Sequence, residues 1–196
     1  MRKIFLTIVI SLITSISVFA QDAKATMDKA AAAFKKSSIS ATYKATGQMN
    51  DEGTIAIKGQ KFCAKGRQAT VWFNGKTQWT YMKSTNEVNI SAPNNKKISV
   101  VNPYAFINLY KSGYDLTQKK TAKGTEVHMK ATTSKSFKEV YITLNSSLQP
   151  VQIKFLGSKG AWTTIAISNY KTASLPESTF RFNKKDYPDA EVIDLR

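Results

Sequence analysis

Apolar positions in this chain recur at two different periods. Over DAKATMDKAAAAFKKSS, 22–38, Ala23, Met27, Ala30 (or Ala31) and Phe34 fall on one stripe at helical spacing. Asp22 is placed to cap this helix, and Lys35 and Lys36 carry the sign that suits its C-terminal end. The stripe is thin, so the helix is expected to lie on a sheet without gripping it tightly. Beyond it the period drops to two. ISATYKATGQ, GTIAIKGQKFCAKG and RQATVWFNGKTQWTYMKSTNEVNI alternate and are rich in Thr, Val, Ile and aromatics, as strands are. Asn74-Gly75 predicts a hairpin between two of these runs, and Asn94-Asn95 a further turn.

The strand pattern is interrupted once. NPYAFINLYKSG, 102–113, offers Asn102 as a cap, Pro103 at the first helical position and Gly113 as the stop. Phe106, Leu109 and Tyr110 share one face of that short helix, with Ile107 beside them. Alternation resumes at Tyr114 and continues through FKEVYITLNSSLQP, VQIKFLGSKGAWTTIAISNYKT and a tail with Phe180, Phe182 and Val192-Ile193. The pattern predicts about ten strands and two helices, an α+β chain built on one large antiparallel sheet. A sheet of that size tends to curl on itself.

The first residues read differently. Arg2 and Lys3 precede an apolar run from Ile4 to Val18, and Val18-Phe19-Ala20 has the form of a signal-peptidase site. The expectation is a signal peptide over 1–20, cleavage after Ala20, and a single exported domain over 21–196. No cysteine follows the cleavage point to carry a lipid anchor.

Charge and cysteine narrow the class further. The net charge is +16 for the full chain and +14 once Arg2 and Lys3 are removed. The export signal and the scatter of the lysines argue against nucleic acid as a partner. Solvated strand faces guarded by lysine, an anionic lipid surface and an acidic partner protein all remain open. Cys63 is the single cysteine, so no internal disulfide supports the fold. It alternates with Phe62 and Ala64 and reads as a buried, inert thiol pointing away from them.

Chemistry for bond making is missing from the motifs. His128 is the sole histidine, in TEVHMKA, where it shares the solvent side with Glu126. There is no HExxH, CxxC, GxSxG or phosphate-cradling glycine loop, and the carboxylates Asp51, Glu52, Asp186, Asp189, Glu191 and Asp194 sit in turn and tail contexts. The chain reads as no enzyme, with no cofactor and no metal. Apolar surface is what it has in quantity. Alternation puts Ile55, Ile57, Phe62, Val71, Phe73, Trp79 and Tyr81 on the inward side of the sheet, with Trp72 facing elsewhere. These residues are either a packed core or the wall of a cavity closed by the two helices.

The ordered motifs favour the cavity. GTIAIK supplies Gly53, Ile55, Ile57 and Lys58; NGKTQWTY supplies Asn74, Gly75, Lys76, Trp79 and Tyr81; LQP supplies Leu148 and Pro150; FRF supplies Phe180 and Phe182. Together with the leader, the N-terminal helix and NPYAFINLY, this order resembles the LolA-like outer-membrane lipoprotein carriers across nearly the whole mature chain. The resemblance implies an unclosed antiparallel β-barrel with helices forming a lid. It implies a periplasmic carrier that holds the acyl chains of lipoproteins. An inner-membrane releasing transporter would load it and an outer-membrane acceptor would relieve it, with transient contact at a membrane surface and no stable oligomer. The ligand-binding set it implies is Met27, Phe34, Phe106, Leu109 and Tyr110 from the lid, and Ile55, Ile57, Phe62, Val71, Phe73, Trp79 and Tyr81 from the sheet. One departure stands out: many members carry Arg-Pro after the strand lysine, an arginine that latches the lid, whereas Lys58 is followed by Gly59 and Gln60. The same fold could also carry or sense other lipids, or serve as an interaction domain without a ligand.

Overall fold

The runs of period two become twelve strands in a single sheet. The structure, a computed structural model, describes residues 22–36, 38–92, 103–157 and 160–196. The leader over 1–20, the cleavage point, the Asn94-Asn95 turn and the Asn102 cap lie outside the described residues. A first meander comprises β1 (Ser38–Gly47), β2 (Asp51–Lys58), β3 (Lys61–Lys65), β4 (Ala69–Phe73), β5 (Gln78–Met82) and β6 (Glu87–Ser91). A second comprises β7 (Tyr114–Thr121), β8 (Gly124–Ala131), β9 (Phe137–Leu144), β10 (Pro150–Gly157) and β11 (Trp162–Thr172). The meanders meet where β11 pairs antiparallel with β1, which places Tyr43 opposite Ile167 and Ala45 opposite Ile165. The sheet order is β12-β6-β5-β4-β3-β2-β1-β11-β10-β9-β8-β7, and it does not close.

Four expectations change here. Twelve strands form rather than about ten, and the sheet is mixed, because β12 (Glu191–Asp194) runs parallel to β6 at one edge. The molecule is mainly β rather than α+β: its described helices are α1, residues 22–35, and the short α2 (Pro103–Asn108), which continues as a 3-10 turn through Lys111. The Phe180/Phe182 alternation does not make a strand. Pro176 withholds a ladder N–H, and Glu177–Phe180 turn as a 3-10 helix that points Phe180 into the sheet.

Both helices lie on one face of the sheet, and both reach its two halves. Ala23, Met27 and Ala30 of α1 pack with Val127, Met129, Val140 and Ile142 from the second meander. One turn onward, Phe34 packs with Ile55, Ile57 and Phe62 from the first. In α2 the neighbours Phe106 and Ile107 divide in the same way. Adjacent residues of one short helix can touch both halves only if the sheet wraps around it. Phe106, Phe137 and Phe155 meet there with centroids 4.9–5.2 Å apart, aromatic contacts of about 0.5–1.5 kcal/mol each beyond their burial.

The opposite face carries a second, smaller core. Cys63, Trp72 and Phe180 are buried together, with Trp79, Tyr81, Phe182 and Tyr187 packed against them. The segment after β11 is thus a strap over the outside of β2–β5. Lys58 Nζ donates to the carbonyl of Leu175 at 3.0 Å, and Glu177 pairs with Lys58 at 3.2 Å and Lys61 at 2.5 Å. These pairs are solvent-exposed and contribute little each. Phe180, with no exposed surface, is the strap's main anchor.

Candidate functional site

The space under the helices follows from side-chain size along β1 and β3. The concave face of β1 carries Ile39, Ala41, Tyr43 and Ala45, so two of four inward positions hold only a methyl group. Across the ladder Ala41 faces Ile55, Ile55 faces Ala64 and Ala64 faces Val71, a row in which small and large alternate. Where methyl groups stand beneath α1 and α2, the helices cannot fill the gap. A cavity of about 50 Å³ remains, lined by Phe34 and Phe106 from the helices, Ala41, Tyr43 and Met49 from β1 and its turn, Ile55, Ile57 and Ala64 from β2 and β3, and Pro150, Ile153, Ile165, Ile167 and Tyr170 from β10 and β11.

The wall carries no charged side chain, and its two hydroxyls are already engaged. Tyr43 donates to Asp51 Oδ2 at 2.6 Å, and Tyr170 donates to the carbonyl of Pro150 at 2.5 Å. Burial pushes both phenols well above the ordinary tyrosine value, and the Asp51 carboxylate adds to the effect at Tyr43. Neither is a proton donor of use near neutral pH. Asp51 is fixed in turn by the Arg67 amide at 2.8 Å, and Glu52 by the Arg67 guanidinium. With both lining hydroxyls turned to protein partners, a guest is offered chiefly apolar contact. As the helices sit, the space suits a few water-sized bodies, so a long chain enters only if they shift.

Of the residues the sequence picks out, four line this cavity: Phe34, Ile55, Ile57 and Phe106. Phe62, Val71 and Phe73 lie in the same apolar cluster behind the wall, with the Phe62 and Phe73 rings 5.8 Å apart. Met27, Leu109 and Tyr110 pack in the neighbouring cluster under α1 and α2. Trp79 and Tyr81 are a correction. They lie on the outer face, Tyr81 with its ring 4.6 Å from Tyr187. The cause is hairpin register. Asn74 Oδ1 accepts from the amides of Lys76 and Thr77, which makes a four-residue loop and sets Trp72 opposite Trp79. Directly paired residues share a face, so both tryptophans point outward and Thr80 takes the inward place opposite Val71.

Ala41, Tyr43, Met49, Ala64, Ile153, Ile165, Ile167 and Tyr170 complete the wall without having been singled out, together with Pro150, named only as a motif position. The alternation in SATYKA and WTTIAISNY does mark several of them as inward. What the pattern lacks is any sign that an inward alanine borders a void. Elsewhere, His128 lies half-buried on the outer face, stacked on Tyr141 at 4.2 Å with Nε2 3.2 Å from Glu139. Cys63 is buried under the strap. No described helix is long and apolar enough to cross a membrane.

Comparison with known proteins bears on this architecture. The family model described as outer membrane lipoprotein carrier protein LolA matches residues 13–179. No curated protein matches the sequence. Among solved structures, an uncharacterized conserved protein from Thermus thermophilus is 19% identical with a TM-score of 0.57, covering 89% of this chain and 98% of its own, a likeness of fold. A LolA superfamily protein from Nitrosomonas europaea is 12% identical with a TM-score of 0.46, covering 82% and 97%. The MucA/MucB complex structure from Pseudomonas aeruginosa is 14% identical with a TM-score of 0.45, covering 84% of this chain and 62% of that one.

Proposed function

The chain belongs to the LolA family of outer membrane lipoprotein carriers, and on that premise we propose that it carries the acyl chains of lipoproteins across the periplasm, from the inner to the outer membrane. The observation that supports this reading is the apolar cavity between two helices and a curved sheet, walled without a charge and without an unengaged hydroxyl. Each methylene kept from water is worth about 0.8 kcal/mol, so an acylated protein needs such a shield in transit. The task is one of binding and release and requires no bond to be made or broken.

In this reading α1 and α2 are the lid, and Phe34 and Phe106 are its contacts with cargo. Release demands that the lid open cheaply, and the thin stripe of α1 suits that demand. The turn Gly59-Gln60 replaces the Arg-Pro of other members, and Lys58 beside it is turned to the strap at Leu175 and Glu177. A latch from the sheet to the lid is therefore not made there. The lid helices are instead tied to each other by Tyr110 and Asp28.

The test is native mass spectrometry of the protein recovered from a bacterial periplasm, followed by titration with a fluorescent acyl probe. Bound mass that dissociates as an acylated polypeptide is the expected result. Phospholipid or free fatty acid would reassign the cargo while keeping the cavity. A bare protein that also refuses the probe would overturn the reading and leave an interaction domain on the same fold.

A further inference from the structure

We infer that the solvent face of the lid is a docking surface for anionic phospholipid. The inference rests on the carrier reading for its purpose, and on charge placement for its evidence. α1 turns its apolar stripe to the cavity and exposes Lys24, Lys29, Lys35 and Lys36 on the opposite arc. Lys111, at the end of the 3-10 turn after α2, is exposed and close enough to Asp28 of α1 to act on its carboxyl. The acids of α1 are Asp22 and Asp28, and Asp28 is already engaged by Lys24 at 2.9 Å and by Tyr110. Lys29, Lys35, Lys36 and Lys111 form no ion pair among the described residues, whereas Lys58 and Lys61 share Glu177.

Some lysines of the outer face stand against acids. On the outer face of β7–β9 Lys119 pairs with Glu126, and Lys130 stands directly across the ladder from Glu139. Lysines without an ion pair also stand elsewhere, among them Lys44, Lys65, Lys120 and Lys138, but the four exposed lysines within residues 22–36 lie on the element that covers the cavity. Lysines at an anionic bilayer surface each strengthen partition severalfold, and the attraction decays within a Debye length. A lid docked by its basic face presents the cavity to the bilayer from which an acyl chain is taken or into which it is delivered.

The test is co-sedimentation of the protein with vesicles of phosphatidylcholine alone and with phosphatidylglycerol added, at low and high salt. Binding to the anionic vesicles alone, weakened by salt, is expected. The variant Lys29→Gln/Lys35→Gln/Lys36→Gln should lower the partition coefficient by about a hundredfold, taking about fivefold per lysine. The control Lys44→Gln/Lys65→Gln/Lys130→Gln, three exposed lysines of the outer face, should change it much less. Circular dichroism checks that both variants keep the fold. Equal losses in the two variants would mean diffuse attraction by net charge and overturn the inference, as would indifference of the wild type to phosphatidylglycerol. Acyl-probe uptake, measured on the same samples, separates this result from failure of the carrier reading: a protein that binds vesicles but never takes the probe loses the latter alone.

Discussion

Tyr110 donates a hydrogen bond of 2.5 Å from its hydroxyl to Oδ1 of Asp28, joining the two helices across 82 positions of sequence. It ties helix to helix above the apolar packing of both on the sheet, a coupling that lets the pair lift from the cavity together. Tyr110→Phe keeps the ring in its cluster and removes the tie. Faster entry and exit of an acyl probe, with an unchanged circular dichroism spectrum, is the expected result in stopped-flow fluorescence. Unaltered kinetics would mean that the helices do not move as the rate-setting step.

The same bond sets a pH dependence. The Tyr110 hydroxyl, and after it Lys24, hold the Asp28 carboxyl below its ordinary value of 3.8. A depressed folded value means that the tie contributes above the unfolded pKa and is lost as pH falls through the folded one. Probe exchange should therefore be flat across pH 5–8 and rise only in acid below the ordinary carboxylate range. In Asp28→Asn the acid limb should vanish. A change of rate near neutrality would point to another group.

Cys63 gives a test of the strap. Burial beneath Trp72 and Phe180 pushes its thiol up to about 11, against the opposing pull of Lys65. Thiolate is the reactive form, so a disulfide reagent at pH 8 should label the native protein very slowly and the urea-unfolded protein at once. Rapid labelling of the native state would show that residues 173–190 leave the sheet readily.

How much of this was legible in the sequence depended on whether the information was local. Alternation is local, so β1 to β11 match the runs that predict them to within one or two residues, and Phe34, Ile55, Ile57 and Phe106 emerge as inward. Across a loop of even length odd-numbered positions pair with even-numbered ones, so the face of Val71 and Phe73 passes to Thr80 and Gln78 beyond the four residues that Asn74 closes. That places Trp79 and Tyr81 on the far face from the one expected. β12 was harder still, because its parallel partner β6 lies about a hundred residues away, at a register of Val192 on Val88. A void is the least legible feature. Ala41 and Ala64 read as ordinary strand residues until the helices above them are in place.

The outward tryptophan makes a contrast with the cavity wall. Trp79→Ala should weaken the outer core and leave acyl-probe affinity within twofold. Phe180→Ala, from the fully buried centre of that core, should cost about 3–5 kcal/mol in urea unfolding. Ile57→Asp, in the wall, should abolish uptake of the probe. Loss of probe binding in Trp79→Ala with the fold retained would return that ring to the ligand.

The sharpest discrimination between core and container comes from filling the space. A packed core resists a larger side chain, and overpacking costs about 1–3 kcal/mol. A container accepts it, because the added carbons meet empty volume instead of neighbours. Ala41 is 4% exposed, lies in the cavity wall and faces Ile55 across the ladder. In Ala41→Leu the branched side chain enters the cavity, so thermal stability should hold or rise while probe affinity falls at least tenfold. The two readouts move in opposite directions only if the space is real and is the place where the acyl chain goes. A destabilised variant that still binds the probe would mean that the apolar residues beneath the helices are a core, and that cargo sits elsewhere.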